Sequence, residues 1–329
     1  MPLAELWLAV RNGRAPLLAA IVPLLLAGTA SADPTAAMLA AGRVDDAISA
    51  LQQRIAASAD DAEAYHLLCR SYCAYGDVDR AVPACERAVA LVPDNSSYHL
   101  WLGSALGFQA DRASFLSAIA LARRTRAELE RAVELDGRDI EARCSLAEFY
   151  VEAPAFAGGG GDKAKLQAAA LATRAPARSH WILGRIAAKK NDTSTAEAEL
   201  RAAVEGDHSN AAAWRDLIVL YRHTEQWDRM QSTAAHLADA GDAGADALLE
   251  TADALISAGR DLPLAIKLLQ QALSSPPVEE APAFAAHQLL GAAFEAQGDR
   301  EGAVREYRAA LAQASNAAPA REGLQRLSH

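Results

Sequence analysis

The apolar positions of residues 62–95 recur at steps of three and four, which is the spacing of one face of an α-helix. The first run of these positions ends at Gly76, and the second ends before Pro93. Glycine favours the turn that ends a helix, and proline cannot continue one. The segment therefore predicts two helices of about a dozen residues joined by a tight turn. Its apolar positions are Tyr65, Leu68, Cys69, Tyr72, Ala81, Cys85 and Ala88.

The same pattern returns in register along the chain, so the sequence is a tandem repeat. A small residue recurs where the two helices of a unit would cross, as at Gly103, Gly184 and Gly291. A weaker first copy precedes residue 62, and a last helix at 317–328 would cap the stack. The predicted units are 33–60, 62–95, 96–139, 140–176, 177–210, 211–244, 245–277 and 284–315.

The unit at 62–95 resembles the tetratricopeptide repeat, with small residues at positions 8, 20 and 27 and larger ones between them. The small residues let the two helix backbones approach, and the larger ones fill the space that remains. The resemblance covers nearly all of residues 33–329. It implies an all-α fold, a right-handed superhelical solenoid of about eight helix-turn-helix repeats with a C-terminal capping helix.

Two units depart from the pattern, and both do so at the turn between their helices. The third unit carries ten extra residues between Leu106 and Thr125, and the fourth carries five between Tyr150 and Ala164. The turns of a solenoid lie along one edge, so we expect the two insertions to meet. The longer one suits an unbroken helix after Asp111 with an apolar side, which something must cover.

The shorter insertion contains four consecutive glycines, Gly158–Gly161, directly before a helix pattern. A glycine-rich turn at the start of a helix is how many proteins bind phosphate. A phosphate-binding loop, however, follows a strand and precedes Lys-Ser or Lys-Thr. Here a helix pattern precedes the glycines, and Asp162 would repel an anion. We therefore predict a structural turn that packs against the extended helix near Phe115 and Ile119, with a loop that contacts a partner as the alternative.

Composition and charge agree with closely packed helices and narrow the choice of partner. Hydrophobic residues make up 51% of the 329 residues but aromatic residues only 5%, so alanine carries much of the packing. The formal net charge is −10, and the isoelectric point is about 5.3. An acidic chain of this kind argues against nucleic acid as the partner.

Residues 1–32 have the three parts of a secretory signal peptide. Two arginines precede an apolar run at 15–28, and Ala30 and Ala32 are the small residues before a cleavage site. We predict cleavage after Ala32, export to the periplasm or out of the cell, and no membrane span in the mature chain. The alternative is that the segment is kept as an N-terminal anchor.

The cysteines offer a candidate disulfide. Cys69 and Cys85 stand at positions 8 and 24 of their unit, which face each other across the two antiparallel helices. An exported protein can keep such a pair oxidised. The alternative is two small buried apolar residues, and Cys73, one turn from Cys69, could compete for the bond. The spacing of the cysteines does not fit a zinc site.

The resemblance implies that the first helices of the units line a concave groove, where such repeats bind their partners. Most of the candidate residues along it form a basic and aromatic stretch in an acidic protein. This stretch suits an acidic or C-terminal peptide segment, which arginine can bind through two hydrogen bonds. The alternative is a solvated face with local ion pairs. The candidate residues are Arg70, Arg178, Trp181, Arg185, Arg215 and Arg222.

The sequence offers no nucleophile–base pair, no histidine pair with metal-ligand spacing and no cofactor loop. We therefore predict a non-catalytic scaffold or adaptor of the bacterial cell envelope that binds a protein or peptide, without cofactor or metal. One alternative is a small-molecule binder or enzyme at the lip formed by the two insertions. A purely structural spacer without a partner is another. The polar groups of the lip would be Asp111, Arg112, Asp162 and Lys163.

Overall fold

The computed structural model describes residues 33–276, 278 and 282–328. All regular structure in these residues is helical, which confirms the all-α fold class. The predicted signal peptide at 1–32 lies outside the described residues. The helices are α1 Pro34–Ala40, α2 Val44–Ala57, α3 Ala62–Ala74, α4 Val78–Leu91, α5 Ser96–Arg112, α6 Phe115–Leu135, α7 Ile140–Glu152, a 3-10 turn at Ala155–Ala157, α8 Gly161–Leu171, α9 Pro176–Lys189, α10 Thr193–Gly206, α11 Ala211–His223, α12 Trp227–Asp239, α13 Ala245–Ala258, α14 Leu262–Ser274, α15 Ala283–Gln297, α16 Arg300–Gln313 and α17 Ala318–Leu327.

Aspartate or asparagine starts many of these helices, and this explains where the helices begin. In each case the side-chain oxygen accepts a hydrogen bond from a backbone N–H in the first turn, which has no partner within the helix. Such a cap stabilises a helix by about 1 kcal/mol. The capping residues are Asp61, Asp77, Asn95, Asp139, Asp192, Asn210, Asp261 and Asp299.

Glycine is required where the two helices of a pair cross. A Cβ atom added at Gly184 would lie 2.7 Å from the side chain of Leu200, and one at Gly291 would lie 2.5 Å from the ring of Tyr307. Both glycines stand at position 8 of their unit and both partners at position 24. The hydrogen of glycine therefore lets a large residue from the second helix reach the first.

The ten-residue insertion lengthens both helices of its pair. Helix α5 has 17 residues and α6 has 21, whereas α3 has 13 and α4 has 14. A histidine–glutamate contact that recurs between the two helices of a unit shows where the extra residues lie. The histidine and the glutamate are 19 residues apart in two units and 29 residues apart in the unit with the insertion. The ten residues therefore lie between the partners of the third pair. The pairs are His180–Glu199 (2.7 Å), His287–Glu306 (2.8 Å) and His99–Glu128 (2.6 Å).

The glycine loop contacts α6, but not where we predicted. A Cβ atom at Gly158 would collide with the Arg126 side chain, about two turns along α6 from Ile119. Phe115 at the start of α6 is 66% exposed, so the loop does not cover it. The reason is that the loop is tied back to α7, because the backbone N–H of Gly160 donates to the Tyr150 carbonyl at 2.8 Å.

Gly159 makes the tightest approach in this loop, which leads to a testable prediction. A Cβ atom there would lie 1.8 Å from the carbonyl oxygen of Ala153, a backbone atom that cannot turn away. We expect Gly159→Ala to lower the free energy of unfolding by about 2 kcal/mol, measured by urea denaturation. The control is Gly161→Ala, whose Cβ would make only an ordinary contact of 3.9 Å with Ile186. Equal stability of the two variants would contradict the prediction.

The first helices of the pairs form the inner layer of the stack. From α3 to α15, each first helix contacts the first helix of the next pair. Among the second helices in the described residues, only α12 and α14 make a comparable contact. Helices that touch lie on the inside of a curved stack, and helices that are spread apart lie on the outside.

The two ends of the described stack also touch, through what we call the closure contact. Asp45 in α2 accepts hydrogen bonds from the Tyr75 hydroxyl and from the backbone N–H of Ser315, the latter at 2.8 Å. The Tyr75 ring lies 6.3 Å from the ring of Phe284 in α15. Residues 270 positions apart in the sequence are therefore hydrogen-bonded, and the curved stack meets its own beginning.

Candidate partner-binding surface

Arg185 lies at the centre of a cluster of charged side chains on the inner layer, which we call the inner acidic cluster. Its guanidinium pairs with Glu148 at 2.8 Å and Glu152 at 2.9 Å on α7, and with Asp216 at 3.3 Å on α11. The Arg185 side chain is only 14% exposed. Three neighbouring first helices therefore meet at one arginine. The members of the cluster are Glu141, Glu148, Glu152, Arg178, Arg185, Lys189, Arg215, Asp216, Glu250 and Asp253.

The surroundings of Arg185 stabilise its charged form. Burial alone would lower the pKa of this group, but the carboxylates of Asp216, Glu148 and Glu152 raise it above its usual value. The guanidinium also lies over the ring of Trp181, 5.4 Å from its centroid. Arg185 is therefore a fixed cation whose charge is already neutralised within the protein.

Glu250 on α13 closes the far end of the cluster and lacks a close cation. Its nearest is Arg215, at 4.0 Å. Burial raises the pKa of Glu250 to about 8; Arg215 opposes this rise, while Asp253 and Asp216 add to it. The carboxyl group is thus costly to ionise at neutral pH, and a further cation beside it would relieve that cost.

Arg178 lies deeper than a surface residue. It pairs with Glu141 at 3.5 Å and donates a hydrogen bond of 2.9 Å to the side-chain oxygen of Asn210. All three residues are buried. Arg178 therefore joins the first helices of neighbouring units rather than presenting a charge to a partner.

The remaining candidates lie apart from this cluster. The guanidinium of Arg70 lies over the ring of Trp101, 5.1 Å from its centroid, near the ring cluster of His66 and Tyr98. Arg222 is partly exposed on α11 and forms no ion pair within the described part of the chain. The structure thus brings Arg178, Trp181, Arg185 and Arg215 together, and leaves Arg70 and Arg222 outside the cluster.

The sequence analysis did not pair the arginines with the carboxylates that neutralise them, although Glu141 and Glu148 also fall at groove positions of their unit. The positions of these carboxylates within the repeat do contain a signal for the pairing. Glu148 and Arg185 occupy the same position of neighbouring units, as do Glu141 and Arg178, and each pair is separated by 37 residues. Opposite charges at equal positions of neighbouring units indicate ion pairs across the inner layer.

The lip of the two insertions does not bring its four predicted polar residues to one cavity. An open cleft of about 920 Å³ lies between the turn at 75–79 and the hairpin of α5 and α6, and Arg112 lines it. Its lining includes no residue of the second insertion, so Asp162 and Lys163 take no part in it. In the described residues no group of His, Cys, Asp or Glu is arranged to hold a metal ion. None of the described helices has the length and hydropathy needed to span a membrane.

Cys69 and Cys85 are joined as a disulfide between α3 and α4, with their Cα atoms 5.2 Å apart. Both residues are buried. Cys73 and Cys144 remain as thiols, and burial raises the pKa of Cys144 well above its usual value. That the bond forms in the exported protein stays a prediction.

His66 supplies a pH-dependent contribution to stability. Burial lowers its pKa to about 3, and the nearby Arg70 adds to this effect. The folded pKa lies below the unfolded value of about 6.5. The neutral ring therefore contributes fully above pH ~6.5, and this contribution is lost as the pH falls toward 3.

We expect the free energy of unfolding of His66→Phe to fall less steeply than that of the wild type as the pH is lowered from ~6.5 toward 3. In the wild type this residue should cost up to about 1.4 kcal/mol of unfolding free energy per pH unit in that window. Phenylalanine keeps a ring beside Tyr98 but takes up no proton. Urea denaturation at a series of pH values measures the difference, and identical slopes for both proteins would contradict the prediction.

Residues 38–103, from α1 into α5, match the model of the tetratricopeptide repeat family. The match covers about a fifth of the chain. No curated protein matches the sequence.

Three solved structures are similar to this chain at identities below 20% and TM-scores below 0.5. A thermophilic tetratricopeptide repeat protein of Thermus thermophilus has 19% identity and a TM-score of 0.48, covering 57% of this chain and 95% of that one. One from Parabacteroides merdae has 16% identity and a TM-score of 0.38, covering 82% and 99%. PilF of Pseudomonas aeruginosa has 12% identity and a TM-score of 0.41, covering 80% and 97%. Residues 38–103 thus match the tetratricopeptide repeat, and the described helix pairs form an all-helical stacked fold.

Proposed function

We propose that the protein is a non-catalytic scaffold or adaptor that binds a protein or peptide through its inner layer. The observation that carries this proposal is the inner acidic cluster. Charged side chains from α7, α9, α11 and α13 are held in a fixed arrangement there, as a preorganised binding surface requires. The stack offers such positions over several units, so many small contacts can add up.

The partner segment carries basic rather than acidic side chains. The inner acidic cluster contains six carboxyl groups and four cations; with Glu250 protonated at neutral pH, five carboxylates still face four cations. Arg185 already pairs with three of those carboxylates, so it has little to offer an anion. A lysine or arginine of the partner beside Glu250 would supply the cation that this buried carboxyl group lacks. This replaces the acidic peptide expected from the arginines alone.

The proposed place of action is the bacterial cell envelope. The support is the signal-peptide pattern of residues 1–32, together with the Cys69–Cys85 pair, which an oxidising compartment would preserve. A fusion of residues 1–32 to a reporter enzyme that is active only after export tests this location. A reporter that stays inactive would refute it.

The binding proposal is tested by fluorescence anisotropy with two labelled peptides of equal length, one rich in lysine and one rich in glutamate. We expect the basic peptide alone to bind at low salt, and the double variant Glu250→Gln/Asp253→Asn to bind it about tenfold more weakly. The control, Asp228→Asn/Glu301→Gln, removes one aspartate and one glutamate carboxyl group at exposed sites on second helices and should bind like the wild type. If both variants bound the basic peptide equally weakly, the loss would be due to the net charge of the protein and not to the proposed site, which would contradict the proposal.

A further inference from the structure

The hairpin of α5 and α6 carries exposed apolar side chains at its tip. Leu116 is 78% exposed and Phe115 is 66% exposed. The hairpin also protrudes, because α6 has 21 residues where α4 has 14, which extends it by about 10 Å. Large apolar side chains that are exposed next to each other are typical of a contact surface. The tip is therefore shaped to enter another surface.

The open cleft beside the same hairpin is large enough to accept such a tip. It has a volume of about 920 Å³ and separates the hairpin from the turn at 75–79. Its apolar lining can be reached from solvent, because Ala120 is exposed and Leu121 is only partly buried. Phe115 and Leu116 do not line it, so the tip leaves the cleft of its own chain unfilled.

The cleft and the hairpin each carry an exposed charge, and the two charges are opposite in sign. Asp79 lines the cleft at the start of α4, and Arg123 lies on α6 outside the lining. Neither forms an ion pair within the part of the chain that the structure describes. The other charged side chains of the lining all have a partner in the chain, and they are Asp77, Arg112 and Arg124.

We propose that two copies of this chain associate reciprocally, with the hairpin tip of each copy in the cleft of the other. The tip and the cleft belong to the same hairpin, so a single two-fold axis makes both contacts at once and the pair is closed. Arg123 of each copy then faces Asp79 of the other, and each supplies the opposite charge that its counterpart lacks. This association goes beyond the proposed binding of a protein or peptide, because it uses no residue of the inner acidic cluster.

Sedimentation velocity of the protein purified from cells that express the full chain measures this association. We expect a monomer–dimer equilibrium in the micromolar range, as for other small interfaces, and a dissociation constant about tenfold higher for Phe115→Ser/Leu116→Ser. The matched control, Phe156→Ser/Leu166→Ser, removes two similarly exposed apolar side chains outside the hairpin and should dimerise like the wild type. A wild type that stays monomeric, assembles beyond a dimer or is weakened equally by both variants would overturn the proposal.

An exchange of charges tests which residues face each other in the dimer. Asp79→Arg brings two arginines together in each contact, and Arg123→Asp brings two aspartates together, so either variant alone should dimerise about tenfold more weakly. An equal mixture of the two variants restores opposite charges in both contacts and should form a heterodimer about as stable as the wild-type dimer. Both positions are exposed, and urea denaturation checks that each variant is folded. Folded variants that do not recover dimerisation on mixing would show that this pairing is wrong.

Discussion

Replacing Arg185 with methionine is expected to lower the free energy of unfolding by about 3 kcal/mol at neutral pH. Methionine fills a similar space but leaves the carboxylates of Glu148, Glu152 and Asp216 facing each other without their shared cation. Removing one partner of a buried ion pair is far more costly than the pair was favourable, because the remaining charges stay desolvated. Here three charges remain, and two of them belong to residues less than a third exposed.

Urea denaturation of Arg185→Met and of Arg229→Met gives a matched comparison. Arg229 also pairs with a glutamate, but its side chain is 57% exposed, so its loss should cost less than about 1 kcal/mol. A deficit that is equally small in both variants would show that the inner acidic cluster is not held together by Arg185.

Removing the Cys69–Cys85 bond is expected to cost about 3 kcal/mol of unfolding free energy. The two cysteines are 16 residues apart, and a cross-link over a loop of this length restricts the unfolded chain by about that amount. We expect Cys69→Ala/Cys85→Ala to be destabilised to this extent, and the wild type to approach it when a reductant is added.

Thiol counting in denaturant provides the control. Without reductant the exported wild type should show only Cys73 and Cys144, and with reductant all four cysteines. The double alanine variant should have the same stability with and without reductant. Four thiols in the unreduced wild type would mean that the cysteines pack as two small apolar residues instead.

The repeating fold could be predicted from the sequence because its determinants are local and periodic. Small residues such as Gly184 mark where helices cross, and capping residues such as Asp192 mark where they begin. The ten-residue insertion was visible as a shift in that period. Only the path of the glycine loop was misplaced, because it depends on a hydrogen bond from Gly160 to Tyr150 that has no signature in composition.

The chemistry of the candidate site was less predictable, because it arises between units rather than within one. Arg185 and Arg215 suggest a basic surface when each helix is considered separately. Their carboxylate partners lie on neighbouring first helices, 31 to 37 residues away for Arg185. Whether the inner layer is basic or acidic therefore depends on which side chains of neighbouring units come together. The pattern of a single helix does not contain that information.

The closure contact limits how this chain can vary in length. In an open stack each unit touches only its neighbours, so a unit can be gained or lost by duplication or deletion at little cost. Here a gain or loss of one helix pair would move Ser315 away from Asp45 by about 10 Å, the distance between packed helices. An insertion or deletion of a whole repeat would therefore remove the closure contact and affect both ends of the described stack at once.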